Sequence, residues 1–476
     1  MDRFTAVVGT RNLETAEWID IIDPASGEVF AQAAAGGRAE IDAAIEAAQQ
    51  AHPEWAATPP SARARILRDV SGLIRRRRDL LAALESRDTG KPLTQAYADV
   101  DVAARYFEFY AGASETLYGD TMFTSPDHFA FTLREPLGVT GHIVPWNYPL
   151  QISARTVAPA LAAGNCSVLK PAEDAPIGPV MLARLALEAG LPPGVLNVVP
   201  GYGWEAGAAL AAHPRITHLS FTGSNAVGHL VTVAAAPNHI PVVLELGGKS
   251  PNIVFDDADL DLAEPVIVNA ILQNAGQTCS AGSRLLVHHA VQDQLVKRLR
   301  DRFANVRLGP GAEDPDLGPL ISSKQRDRVT AFVQEALDGG SAQLACGGRP
   351  SEGPNGRGFF FEPTLLDQVD PLSMIAQQEV FGPVLAVSGF EDESEAIRLA
   401  NGTSYGLIAA VWTRDLGRAH RVARGLQAGQ VYVNTYGAGG GAELPFGGVK
   451  RSGHGREKGF EGLLAYTQLK SVVIRT

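Results

Sequence analysis

Leu137-Gly138-Val139-Thr140-Gly141-His142-Ile143-Val144-Pro145-Trp146-Asn147-Tyr148-Pro149 is a short apolar run that ends at a proline and leads into an Ala- and Leu-rich stretch. The same unit then repeats. Strand candidates fall at 139–144, 167–170, 195–199, 218–221 and 241–246, with helical stretches at 151–162, 179–188, 205–212 and 225–235 between them. Strands alternating with helices at this spacing predict a parallel, doubly wound α/β sheet. Such a sheet binds ligands at the carboxyl ends of its strands. A second alternating region runs from 283 to about 446, with strands expected at 285–288, 359–361, 383–387, 409–412 and 431–434, and reads as a second α/β domain. Upstream, 38–110 reads as helices, at 40–51 and 62–84 among others, with Gly90-Lys91-Pro92 as a break. From 117 to 133 the pattern turns short and β-like, and the tail at 466–474 is an apolar strand with no hairpin mate nearby in sequence.

A chain of 476 residues exceeds what one core usually serves, so at least two domains are expected. The 45% apolar and 20% charged residues suit a soluble enzyme, and the net charge of −11 argues against nucleic-acid or anionic-membrane partners. The basic run Arg75-Arg76-Arg77-Arg78 lies in a helical pattern and reads as a solvated helix face. Three cysteines without a CxxC pair make neither a disulfide framework nor a thiolate zinc site. Met1-Asp2-Arg3-Phe4-Thr5 opens no apolar leader, and no run of 18 apolar residues occurs. The expected location is the cytoplasm, away from membranes.

Cys279, in Gly276-Gln277-Thr278-Cys279-Ser280, ends a helical stretch and reads as a solvent-facing loop thiol, while Cys166 and Cys346 are expected to be buried. Upstream, Leu244-Glu245-Leu246-Gly247-Gly248-Lys249 carries a carboxylate at a strand end. A thiol with a carboxylate in such a fold suggests a covalent nucleophile and its base; a buried filler cysteine is the competing reading. Phe221-Thr222-Gly223-Ser224 ends a strand and opens a helix, a turn that suits a pyrophosphate or merely a Ser N-cap. Lys170-Pro171-Ala172-Glu173 offers an acid to ribose hydroxyls or is a surface charge pair. In Pro145-Trp146-Asn147 two nearby prolines stiffen the backbone around an amide that could bind an oxyanion, or the loop is structural with Trp146 packed inside. Two other glycine motifs do not fit. Gly201 to Gly207 is spaced GxGxxxG, and Gly248-Lys249-Ser250 lacks the upstream glycine of a P-loop because position 243 is Val243.

In order and spacing, these segments resemble the NAD(P)-dependent aldehyde dehydrogenase superfamily. The resemblance runs from about residue 17 to the C-terminus and includes Glu379-Val380-Phe381-Gly382-Pro383 and Pro445-Phe446-Gly447-Gly448. It implies two doubly wound α/β domains, a Rossmann-like cofactor domain at 1–116 and 137–247 and a catalytic domain at 248–447. It also implies a small β oligomerisation arm at 117–136 and 463–476, whose terminal strand pairs across subunits. The implied catalytic residues are Cys279 as nucleophile, Glu245 as general base and Asn147 as oxyanion donor. The implied cofactor residues are Trp146, Lys170, Glu173, Gly223, Ser224, Glu379 and Phe381, holding NAD, with NADP as a second acceptor; no metal is implied. Glu457 matches a carboxylate sometimes placed in the proton path, and Arg155 a position that binds substrate carboxylates in some relatives.

The reaction so implied is oxidation of an aldehyde to a carboxylic acid through a cysteine thiohemiacetal and thioester, in a homodimer or homotetramer. Relatives that pass the acyl group to coenzyme A, or reduce acyl phosphates, do not need the base at Glu245. A silent binding protein of the same fold does not need Cys279, Glu245 and Asn147 together. The Gly-rich loop at 437–444 is expected at the substrate entrance, suiting bulky aldehydes or simply mobile.

Overall fold

The computed structural model describes residues 1–354, 356–437 and 441–476. Its first sheet has eight strands, and five of them form a parallel core in the spatial order Val242–Glu245, His218–Thr222, Val139–Val144, Cys166–Pro171 and Leu196–Val198. All five expected strands are present. The helices Pro149–Ala162, Ile177–Glu188 and Asn225–Ala235 connect them as expected, while the expected helix at 205–212 is a π-turn, Gly203–Gly207, running into the short helix Ala208–Ala211. The chain moves outward one way from Val139–Val144 and returns on its other side at His218–Thr222. The carboxyl ends of these two neighbours form the switch point where such sheets bind ligands. Pro145-Trp146-Asn147 and Gly223-Ser224 lie there.

The second sheet has seven strands, ordered Gln343–Cys346, Thr364–Asp367, Val384–Phe390, Arg284–His288, Pro251–Val254, Ile408–Trp412 and Gln430–Val433, with only the first antiparallel. The strand Pro251–Val254 was not read from the sequence, although its four residues are fully buried at the sheet centre. The strand expected at 359–361 does not form. Phe360 and Phe361 are buried, but Phe361 makes an isolated bridge to Pro350, and the ladder begins at Thr364, beyond Pro363, which has no N–H to give. Each sheet has its own core: one gathers Trp55, Tyr106 and Phe107 with the first sheet's strands, the other Leu299, Phe303 and Trp412 with the second's.

Four helices, Arg38–Ala57, Pro60–Arg76, Arg78–Thr89 and Leu93–Ser114, fill the expected helical region. The stretch expected as one helix at 62–84 is interrupted at Arg77, and Gly90 ends the next with a left-handed cap. The basic run is a solvated face: Arg75, Arg77 and Arg78 pair with Glu108, Glu188 and Asp101. The terminal strand Thr467–Arg475, expected to pair across subunits, finds a mate in its own chain: it pairs antiparallel with His128–Pro136, from Thr467 opposite Pro136 to Arg475 opposite His128. Tyr466 explains this, because its hydroxyl bonds Thr156 and its carbonyl accepts from Asn165, so the strand starts beside Pro136. No helix among the described residues is long and apolar enough to cross a membrane.

Candidate active site

Cys279 is placed by an unusual turn. The helix Leu260–Leu272 runs into Gln273–Gly276, where Asn274, Ala275 and Gly276 take φ of 50°, 53° and 72° in succession. Gly276 is required there twice over: its φ suits glycine, and an added Cβ would strike the Gly382 carbonyl. Around the turn, the Gln277 side chain donates to the Asn274 carbonyl and accepts from the Ile321 N–H. Cys279 is not the solvent-facing thiol that the sequence suggests. It is part-buried in the wall between two cavities, and burial pushes its pKa up to about 12, with Glu379 and Glu245 adding and Arg155 opposing. Cys166 is buried as expected; Cys346 is not, because Gln343–Cys346 is the outermost strand of its sheet.

The first cavity is a cleft of about 610 Å³. Its lining brings together Cys279, Glu245, Asn147, Trp146, Glu173, Gly223, Ser224, Glu379 and Phe381, residues spread over most of the chain. Lys170 stands behind this wall and donates to Glu173 at 3.0 Å. Burial would raise the Glu173 pKa, but the Lys170 charge and backbone N–H groups, including that of Gly203, bring it below the ordinary value. The segment from Gly201 therefore closes over the Glu173 corner, although its spacing is no dinucleotide fingerprint. Ser224 caps the helix Asn225–Ala235, its Oγ accepting from the Val227 N–H at 3.4 Å, so the N-cap reading holds at a turn that also faces the cleft.

Glu245 ends its strand at the deep part of the cleft, 2% exposed, and neither carboxylate oxygen has a hydrogen-bond partner among the described residues. Burial raises its pKa well above the carboxylate range; the Glu457 charge adds to this and Arg155 opposes it. The two glycines after it allow close approach. A Cβ on Gly247 would collide with the Glu379 carboxylate, and one on Gly248 would lie 2.5 Å from the Cys279 carbonyl oxygen. Glu379 accepts from the Gly248 N–H at 3.1 Å, and burial raises its pKa to about 7. Phe381, at a φ of 61°, meets Trp146 edge to face with ring centroids 5.4 Å apart, and Gln325 donates to its carbonyl.

Asn147 is held on three sides. Its amide N–H donates to the Gln277 carbonyl at 2.8 Å, and its own carbonyl accepts from Asn274 at 2.9 Å and from Lys91 at 3.0 Å. Lys91 is wholly buried and paired with Asp99 at 2.5 Å and Glu85 at 3.1 Å. In the sequence this lysine reads only as part of a helix break. No local signal marks its role, because its partners come from three separate segments. Burial raises the Asp99 pKa against the pull of Lys91.

The second cavity, about 200 Å³, also reaches Cys279; Cys279 and Ile152 line both. Its walls include Tyr148, Arg155, Thr278, Tyr432, Phe446 and Lys458. Arg155 is answered by Glu457, with Nε 2.5 Å from the carboxylate, and Glu457 accepts from Ser220 at 2.9 Å. Gly437 and Gly441 of the loop expected at the substrate entrance border this cavity, while Gly439 and Gly440 lie outside the described residues. Among the described residues, no group of three or more His, Cys, Asp or Glu is placed to hold a metal.

A thiol between two cavities, with a carboxyl of raised pKa on the larger of them and a fixed amide, suits attack on a carbonyl followed by hydrolysis. Comparisons with known proteins agree with this chemistry. A sequence profile of the aldehyde dehydrogenase family matches residues 11–472. The mitochondrial aldehyde dehydrogenase of Equus caballus is 42% identical over 460 residues, covering 95% of this chain and 91% of that protein. A provisionally assigned aldehyde dehydrogenase from Burkholderia cenocepacia has a crystal structure with a TM-score of 0.96 at 54% identity, covering 99% of each chain. An aldehyde dehydrogenase from Bacillus cereus, solved as its NAD+ complex, gives 0.97 at 38% identity, covering 100% of this chain and 97% of that one. With its fold, its site and these likenesses in agreement, the chain belongs to the aldehyde dehydrogenase family, whose reaction is the oxidation of aldehydes to acids.

Proposed function

We propose that the chain oxidises an aldehyde to the free acid with NAD as acceptor, using Cys279 as nucleophile, Glu245 as general base and Asn147 as oxyanion donor. The observation that carries this reading is the position of Cys279 between two cavities, with Glu245 on the larger one. The larger cleft fits a dinucleotide: Glu173, steadied by Lys170, suits ribose hydroxyls, the Gly223-Ser224 helix start a pyrophosphate, and Glu379 a second ribose beside Phe381 and Trp146. NAD supplies, when bound, a cationic ring that accepts a hydride. Beside a positive charge the Cys279 thiolate gains on the thiol that burial favours. Its sulfur bonds to the aldehyde carbon, and the carbonyl pair moves onto oxygen, where Asn147 and the Cys279 backbone N–H stabilise it. Loss of the hydride leaves a thioester. Glu245 then takes a proton from water as its oxygen bonds to the acyl carbon, and the carbon–sulfur bond breaks to release the acid. Formation of NADH and acid with a panel of aldehydes tests this reading; no NADH with any of them overturns it.

Asn147→Ala is expected to lower kcat by roughly 10²–10³-fold, the usual loss for one oxyanion donor, with cofactor binding retained. Unchanged kcat would make Asn147 a structural loop residue only.

NAD is expected to give a higher kcat/KM than NADP, because a 2′-phosphate would meet the Glu173 carboxylate. Lys170 partly offsets that charge, so the preference is not exclusive. Glu173→Gln is expected to narrow the gap mainly by improving NADP. An unchanged ratio means that Glu173 does not set the choice.

For assembly we propose a homodimer or homotetramer. Thr467–Arg475 is an edge strand with Val473 and Ile474 exposed, a template for further pairing. A cytoplasmic location accords with three free cysteines.

A further inference from the structure

The smaller cavity carries a cation with no acid of its own. Lys458 lines it, and among the described residues its ammonium makes no hydrogen bond or ion pair. It stands 5.0 Å from the Phe446 ring centre and 5.9 Å from that of Tyr106. The other charges on the same walls are already answered: Arg155 by Glu457 and Asp99 by Lys91, each at 2.5 Å. Glu245, the remaining carboxyl nearby, has its pKa raised well above the ordinary value by burial, which weakens it as a counter-charge. Burial, and then the Arg155 charge, lower the Lys458 pKa to about 8 against the weaker pull of Cys279, Glu457 and Glu245, so an anion brought beside it restores what burial takes away. Ile152, Ile408 and Leu444 offer apolar wall in the same cavity, and Cys279 stands in that wall.

We propose that Lys458 binds a carboxylate at the far end of the substrate, so that the preferred substrate is a short aldehyde bearing a terminal carboxylate. This rests on the reading of Cys279 as the nucleophile. The aldehyde carbon meets the sulfur, the methylenes lie along the apolar wall, and the carboxylate makes a charge-assisted hydrogen bond to the ammonium. Arg155 adds positive potential without giving up Glu457.

The test compares straight-chain aldehydes of four to six carbons with and without a terminal carboxylate. For the wild-type enzyme kcat/KM is expected to favour the carboxylate series by about 10- to 100-fold, the usual range for a hydrogen bond to a charged group. Lys458→Met should collapse that ratio towards one, mainly through KM, and Lys458→Arg should restore most of it. A saturated dicarboxylate of the same length should inhibit competitively against the aldehyde, and more weakly in Lys458→Met. A ratio near one in the wild type, or a ratio that Lys458→Met leaves intact, overturns the assignment of Lys458 while leaving the dehydrogenase reading standing. Failure to oxidise either series overturns both.

Discussion

Cys279→Ala is expected to abolish aldehyde-dependent NADH formation while cofactor binding, followed by fluorescence titration, persists. The loss should be complete because no other thiol can replace it: Cys166 is buried in the first core, and Cys346 sits on the far edge strand of the second sheet. Folding should survive, since the side chain removed is small and borders open space on two sides. Cys279→Ser should also be nearly inactive, because a hydroxyl is a far weaker nucleophile than a thiolate and forms no thioester. Labelling with iodoacetamide adds a second readout. Cys279 is expected to react faster with NAD bound than without, because its pKa of about 12 leaves little thiolate in the free enzyme. Cys346, partly exposed, should label slowly in both the wild type and the alanine variant. Near-normal turnover in Cys279→Ala would falsify the covalent mechanism.

Glu245→Gln should give a burst of NADH equal to the enzyme present, followed by turnover slowed by roughly 10²–10⁴-fold. A carboxamide accepts no proton from the attacking water, so the thioester accumulates. The pH profile of the wild type should carry the same information. The base must be ionised to act, and its pKa is raised, so deacylation should climb with pH through a limb lying above the ordinary carboxylate range. That limb should be missing in Glu245→Gln. Steady turnover without a burst would move the base elsewhere. Glu457 is poorly placed to take over, since Arg155 and Ser220 occupy its oxygens.

Much of the site was legible because its parts are local. Val139–Val144 and His218–Thr222 are apolar runs stopped by Pro145 and Gly223, and a doubly wound sheet must set those two stops side by side. Glu245 stood out as a carboxylate at a strand end in a segment that carries the family resemblance, and the structure gives the nearby Gly247 and Gly248 their reason in the close approach of Glu379 and Cys279. Lys91 could not be singled out. Its helix-breaking neighbours explain the local sequence fully, and only packing brings its ammonium to the Asn147 carbonyl. Arg155 was legible as a cation near the site but not as the partner of Glu457, which arrives from some three hundred residues further along the chain. The strand expected at 359–361 failed for the converse reason: three phenylalanines look like a strand locally, yet their burial is satisfied in a loop and Pro363 delays the ladder.

By itself the sequence determined the alternation of strands and helices through the first sheet and the strand ends at which its motifs fall, while the thiol, the carboxylate and the amide were marked out by the family resemblance that their segments carry. Alternation and strand ends follow from periodicity and turn residues, which act over a few positions. The tertiary structure alone decided the electrostatic state of those groups and the route of the last strand. Whether Cys279 and Glu245 are charged depends on how much water each has lost and which charges face it across the cleft. Whether Thr467–Arg475 pairs at home depends on where Tyr466 is anchored. Desolvation and long-range pairing are properties of the closed fold, so no stretch of the chain read alone carries them.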